Sequence, residues 1–295
     1  PTGLSKAAAG VIAGFGSESY LDGVQMSRRQ WSSPALPKMI MECEDSRRFT
    51  EAQRAAMADS LLAPVKEQIP EGTKRLYVSF GRDLASVPWA ALPYGEATLG
   101  TSFQLGLVNG ASQFIQAATA KSFTKRNLLF CAYPDAQAGA YAEQIGKPWS
   151  GGWRRVDATT EGRSAVSDRA FFYSFIHFQN PLRLNASDPA GSAIAFPGVL
   201  SSLNSLQVHR LTEWNLRANV LTLCRTSAPL SARTYHAQSL AARLLFLAGT
   251  PTLLIGDGPV SPDAEASFMA AFYPEMKDKE AGEAFAAALS RAGGD

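Results

Sequence analysis

Three cysteines and three histidines are the residues of this chain best suited to nucleophilic chemistry, and one cysteine is placed for it. Cys224 lies in the run N-V-L-T-L-C-R-T-S at 219–227, where an apolar stretch passes at once into polar residues. A short apolar run between breakers reads as a buried strand of a parallel sheet. In open α/β sheets ligands and chemistry gather at the carboxyl ends of such strands, so this thiol stands where a nucleophile is expected. It also needs a base, because a thiol of pKa ~8.5 is only a few per cent ionised at neutral pH. The run F-F-Y-S-F-I-H-F-Q at 171–179 reads as the adjacent strand and carries His177. That histidine lies inside its run, a position that favours packing or hydrogen bonding within the sheet. His209 and His236 are the other imidazoles, and His236 reads as a surface or helix-start residue. Cysteine is also among the most buried residue types, so a small buried apolar side chain at a strand end is the better reading of Cys224 than a nucleophile. Cys43 and Cys131 read as structural, and three histidines without paired spacing give no metal site. Asp257 and Asp263 fit a turn and a helix start better than acid catalysis.

The elements that must hold these groups are legible from position 50 onward. Residues 1–48 show no sustained periodicity, and Gly10, Gly14 and Gly16 lack the third glycine and preceding strand of a dinucleotide fingerprint. Thr50 and Gln53 have capping-box spacing, and Met57, Leu61, Val65 and Ile69 stack on one helical face. Pro64 should kink or divide that helix. Strands are expected at 75–80, 103–108, 127–132, 153–156, 192–196 and 252–255, besides the two already named. Helices are expected at 112–120, from Thr160 to about 168, at 236–247, from Ser261-Pro262, and at 279–292 before Gly293-Gly294. This alternation predicts an α/β fold with a mostly parallel central sheet and helices on both faces. An N-terminal helix and strand subdomain over 1–122 precedes the main part at 123–295.

Composition narrows the function classes. Charge is balanced, 28 basic against 26 acidic residues, with no basic block interleaved with aromatics. That argues against a dedicated nucleic-acid surface, and Lys125-Arg126 and Arg154-Arg155 read as solvated rim. Three widely spaced cysteines give no disulfide framework and point to a reducing, cytoplasmic setting. No apolar run reaches the ~18 residues of a membrane span; the best, at 240–255, is broken by Arg243 and Pro251. A start at Pro-Thr-Gly reads as a piece of a longer protein. No cofactor motif is present.

Four stretches together resemble the CHAT domain, a caspase-like domain related to separases. They are L-L-A-P-V-K-E-Q-I with R-L-Y-V-S-F-G-R-D-L-A-S-V-P-W-A-A-L-P, then F-I-H-F-Q-N-P-L-R-L-N, L-T-L-C-R-T-S, and L-L-F-L-A-G-T-P-T-L-L-I-G-D-G-P-V-S-P-D-A-E-A. They follow the family's order over roughly 50–292. The resemblance implies a caspase-like three-layer fold, a clan CD cysteine peptidase with a His–Cys dyad on adjacent strand ends, and upstream tetratricopeptide repeats as a partner.

The departures from that pattern set the functional expectation. Laid on the family's H-F-A-T-H-G-R-F, the first histidine is His177, but Pro181 replaces the catalytic one and Leu182 the following glycine. Proline has no ionisable group, and leucine adds bulk where substrate backbone should approach. The family cysteine falls on Cys224 when C-R-T is aligned, and on Thr226 when counted forward from 217–219; Ser227 replaces the closing glycine. His177, Leu182, Arg225, Thr226 and Ser227 would border the cleft. The leading expectation is therefore a degenerate CHAT pseudoprotease that binds a protein partner or peptide segment, with Pro181 and Leu182 either offering an exposed apolar rim or packing under the loop 183–189 and filling the cleft. An active cysteine endopeptidase pairing Cys224 with a non-standard base is the alternative, and small-ligand binding at the strand ends is a third reading.

Overall fold

The computed structural model describes residues 7–13, 25–31, 38, 40, 49–108, 127–133, 138–149, 152–157, 166, 168–196, 206–207, 218–223, 225–227, 231, 233–247, 250–256 and 260–291. The chain divides into two compact units, Pro1–Val108 with Phe285–Asp295, and Asn109–Ala284. The division expected at 122/123 lies outside the described residues.

In the first unit, β1 (Ala7–Ala13) and β2 (Gln25–Trp31) form an antiparallel pair in a stretch whose sequence carried no strand signal. Helix α1 (Glu51–Leu61) opens with the expected capping box: Thr50 Oγ1 accepts the Gln53 N–H at 3.2 Å, and Gln53 Oε1 accepts the Thr50 N–H at 2.8 Å. The helix stops there. Pro64 begins a separate short helix, α2 (Ala63–Lys66), because a proline is tolerated in a first turn and not in a helix interior. Then come β3 (Arg75–Ser79), the hairpin of β4 (Pro93–Tyr94) and β5 (Ala97–Thr98), α3 (Leu99–Ser102) and β6 (Gln104–Val108). Gly95, with φ of 66°, makes the hairpin turn. β6 returns to pair in parallel with β3. Met57, Leu61, Trp89, Leu92, Leu99 and Phe103 form the core of this unit.

The second unit runs β7 (Leu128–Ala132), α4 (Ala138–Gly146), β8 (Trp153–Asp157), β9 (Phe175–Phe178), β10 (Leu182–Arg183), β11 (Ala193–Ile194), β12 (Leu206–Gln207), β13 (Val220–Leu223), α5 (Tyr235–Leu247), β14 (Thr252–Ile255) and α6 (Pro262–Glu275). Helix α7 (Ala281–Arg291) follows, and its residues from Phe285 onward belong to the first unit. Five strands make one wholly parallel sheet in the order β14-β13-β9-β7-β8. β10, β11 and β12 make a small antiparallel sheet of their own.

Every residue of the three inner strands, L-L-F-C-A, F-I-H-F and V-L-T-L, is buried, as a parallel sheet covered on both faces requires. Alternation along the strands sends Leu129, Cys131, Ile176, Phe178, Leu221 and Leu223 into a core with Ala241 and Leu245 of α5. It sends Phe130 and His177 to the other face, against Tyr141 of α4 and Tyr273 of α6. Helix, sheet and helix thus make three layers, the architecture expected.

β9 is shorter than the run 171–179 that announced it. Asn127 donates from Nδ2 to the Phe172 carbonyl at 2.9 Å, and its Oδ1 accepts the Ser174 N–H at 2.9 Å. Those bonds hold Phe171 and Phe172 in a single 3-10 turn ahead of the strand. The edge strand β8 is guarded by exposed Arg154, Arg155 and Asp157, as the solvated-rim reading of Arg154-Arg155 expects, and an Arg155–Asp157 pair at 2.8 Å bridges two of them. The helix expected at 112–120 and most of the one after Thr160 lie outside the described residues. No described helix is long and apolar enough to cross a membrane.

Candidate functional site

The carboxyl ends of β9 and β13 are where sequence placed the chemistry, and there the two strands stay joined. In-register pairing ends at Phe178 with Leu223, and resumes as a parallel bridge of Leu182 with Thr226. Three residues on the first strand, Gln179, Asn180 and Pro181, therefore stand against two on the second. That surplus residue is a bulge, one of the few places a sheet accepts a proline. Beyond it, the Leu182 N–H donates to the Arg225 carbonyl at 2.7 Å and the Ser227 N–H to the Leu182 carbonyl at 2.8 Å. The Pro181 carbonyl accepts the Ala195 N–H at 2.9 Å, and Asn180 Nδ2 reaches the Ala195 carbonyl at 2.8 Å.

Leu182 is fully buried and belongs to the apolar core shared with Phe178, Ile194 and Leu223. Of the two expectations for Pro181 and Leu182, the exposed rim is thereby corrected at Leu182, which packs inward instead. Pro181 is half-buried, and the leucine side chain enters the core because β10 alternates inward there, which sends the next residue, Arg183, to solvent. Thr226 is buried and donates to the Gly256 carbonyl at 3.3 Å. Ser227 is exposed, and its Oγ accepts the Leu184 N–H at 3.0 Å. Cys224, His209, Cys43 and Asp257 lie outside the described residues.

His177 is fully buried. Its ring stacks on Phe130 at 4.8 Å between centroids. The Tyr273 hydroxyl donates to Thr222 Oγ1 at 3.2 Å and stands 3.0 Å from His177 Nδ1, so Nδ1–H is the donor toward the tyrosine oxygen. Nε2 faces Glu265 Oε1 at 3.5 Å, within ion-pair reach and without the geometry of a hydrogen bond. Glu265 Oε1 also takes the Tyr141 hydroxyl at 3.5 Å, while Oε2 takes Arg225 Nε at 2.5 Å. Burial pushes the His177 pKa below its ordinary value; the Glu265 carboxylate pulls it up, the Arg225 charge pushes it down again, and burial prevails. The imidazole is neutral at neutral pH.

Sequence reading missed Glu265 and Tyr273. Their signal was available: Glu265, Met269, Phe272, Tyr273 and Met276 recur at helical spacing on the buried stripe of α6 and the turn after it. An acid on an apolar stripe needs a buried partner, and Arg225 is that partner. Asp263, in contrast, is an exposed first-turn acid below the Ser261 cap, as expected. His236 is exposed in the first turn of α5, and Cys131 is a buried free thiol. No group of three or more His, Cys, Asp or Glu residues suited to a metal occurs among the described residues.

A five-stranded parallel sheet between helical layers, with its cysteine and histidine motifs on neighbouring strands, is a caspase-like peptidase-related fold. The family model of the CHAT domain matches residues 52–294, most of the chain, and the chain belongs to that family. No curated protein matches it.

Proposed function

We propose that this CHAT domain is a pseudoprotease that serves as a regulatory or scaffold module, binding a protein partner or a peptide segment. The observation that carries the reading is the segment standing where the family places its general base. That segment is Pro181-Leu182, which offers no ionisable group and is tied by backbone bonds to Arg225 and Ser227. A cysteine peptidase needs an imidazole within hydrogen-bond reach of its thiol. His177 is enclosed by Phe130, Tyr141 and Tyr273, and its one ring N–H is directed at a tyrosine. His236 is exposed in the first turn of α5. Removing one member of a nucleophile–base pair costs on the order of 10⁴-fold in rate. The exposed residues at the strand ends, Arg183 and Ser227, flank the bridge and remain available to a partner.

The test is an assay of the purified protein on unstructured protein and on peptide libraries, beside its Cys224→Ala variant. The expected result is no cleavage by either. Turnover by the wild-type chain that disappears in the variant overturns the proposal.

A further inference from the structure

Arg183 and Ser227 are the first residues beyond the bridge of Leu182 with Thr226, and both are exposed. They stand one step past an in-register parallel pair, so they are neighbours on adjacent chains of the sheet, about 4.8 Å apart. Alternation turns them away from the core side taken by Leu182 and Thr226, which are both buried. We infer that this pair receives a carboxylate and that the bound segment is acidic, a step that rests on the peptide-binding role proposed for these strand ends.

Both side chains are donors. A guanidinium presents its N–H groups in a planar fork that matches the two oxygens of a carboxylate. No ion pair or hydrogen bond engages the Arg183 side chain among the described residues. Its register partner on β11 is Ala193, too small to cover it. Arg155 makes the contrast: exposed on β8, it is already paired with Asp157 at 2.8 Å. Asp188, the acid of the loop after β10, has its carboxylate against Gly191 and forms no pair with Arg183. Ser227 is held from two sides, its N–H on the Leu182 carbonyl and its Oγ accepting the Leu184 N–H. The hydroxyl that accepts that bond keeps its own hydrogen to donate. In the free chain water takes these donors, and a partner carboxylate replaces it with charge-assisted bonds.

Two extended probes test this: fluorescein-labelled peptides of eight residues that alternate valine with glutamate, or valine with glutamine. Each is titrated against the intact chain, with binding read by fluorescence anisotropy. At low salt the glutamate peptide should bind about ten-fold more tightly than the glutamine peptide. In Arg183→Gln the two peptides should bind alike, at the affinity of the glutamine form. Arg155→Gln should leave the preference as it is, which separates a site from general attraction to positive charge. Equal binding of the two peptides by the wild-type chain overturns the carboxylate site and leaves the peptide-binding role standing. A preference that survives in Arg183→Gln, or that Arg155→Gln abolishes, overturns the site as well. Binding of neither peptide overturns it too, and the inactive-protease proposal is then judged by its own cleavage assay. The wild-type chain alone gives a further check, should Arg183→Gln fail to fold. An exposed pair is screened by salt, so the preference should vanish at about 1 M salt, and a preference that persists there overturns the site.

Discussion

Cys131 and His177 sit on neighbouring strands of one sheet, both fully buried, and they face opposite ways. Cys131 looks into an all-apolar core with Ile176, Phe178 and Leu221. His177 looks into a cluster with a carboxylate, a guanidinium and two phenols. Burial pushes the thiol far above its ordinary pKa and the imidazole below its own, so each is held neutral. The difference is what neutrality protects. On the apolar face it protects packing alone. On the polar face it leaves the buried Glu265–Arg225 pair undisturbed.

The largest expected contrast comes from deleting one group on each face. Glu265→Ala leaves Arg225 largely buried without its carboxylate, and should cost about 3 kcal/mol or more of unfolding free energy. Cys131→Ala removes one heavy atom from an apolar core and should cost only about 1 kcal/mol. Urea denaturation of both variants measures the gap, and equal losses would erase the distinction between the faces.

An effect of intermediate size is the opposite pH dependence of the two groups. His177 has a lowered folded pKa, so its contribution is complete above the unfolded value of ~6.5 and is lost as pH falls below it. The slope is at most about 1.4 kcal/mol per pH unit from this one group. Cys131 has a raised folded pKa, so its contribution is complete below the unfolded value of ~8.5 and is lost as pH rises. Stability measured from pH 5 to pH 10 should fall at both ends. His177→Gln should flatten the acid side alone, and Cys131→Ala the alkaline side alone.

The smallest effect sharpens the comparison from outside. Arg155→Ala removes an exposed ion pair on the edge strand and should change stability by less than about 0.5 kcal/mol. A larger loss there would mean that exposed and buried pairs in this sheet are not as unequal as their surroundings imply.

Much of this architecture is written in local pattern. The fully buried runs at β7, β9 and β13, the capping box at Thr50, the break at Pro64 and the Ser261 cap are each read from adjacent residues. The strand at 252–255 is found where its bounds were expected. What escaped the sequence depends on partners far along the chain. Glu265 lies 88 positions from His177 and 40 from Arg225, and only the parallel crossover brings them together. The bulge at Gln179–Asn180–Pro181 depends on the register of two strands, which neither strand declares alone. Leu182 read as an exposed rim because its inward face is set by that bulge. The hairpin of β1 and β2 carries no alternation to announce it.

The central claim is that no base serves the cysteine of this domain, and the ionisation of Cys224 tests it most directly. Its alkylation rate should be measured from pH 5 to pH 10 in the folded chain. The account predicts a rate that rises only as an ordinary thiol ionises, near pH ~8.5 or above. A Cys224 thiolate that titrates well below neutrality, and loses that reactivity when any one histidine is replaced, would contradict it.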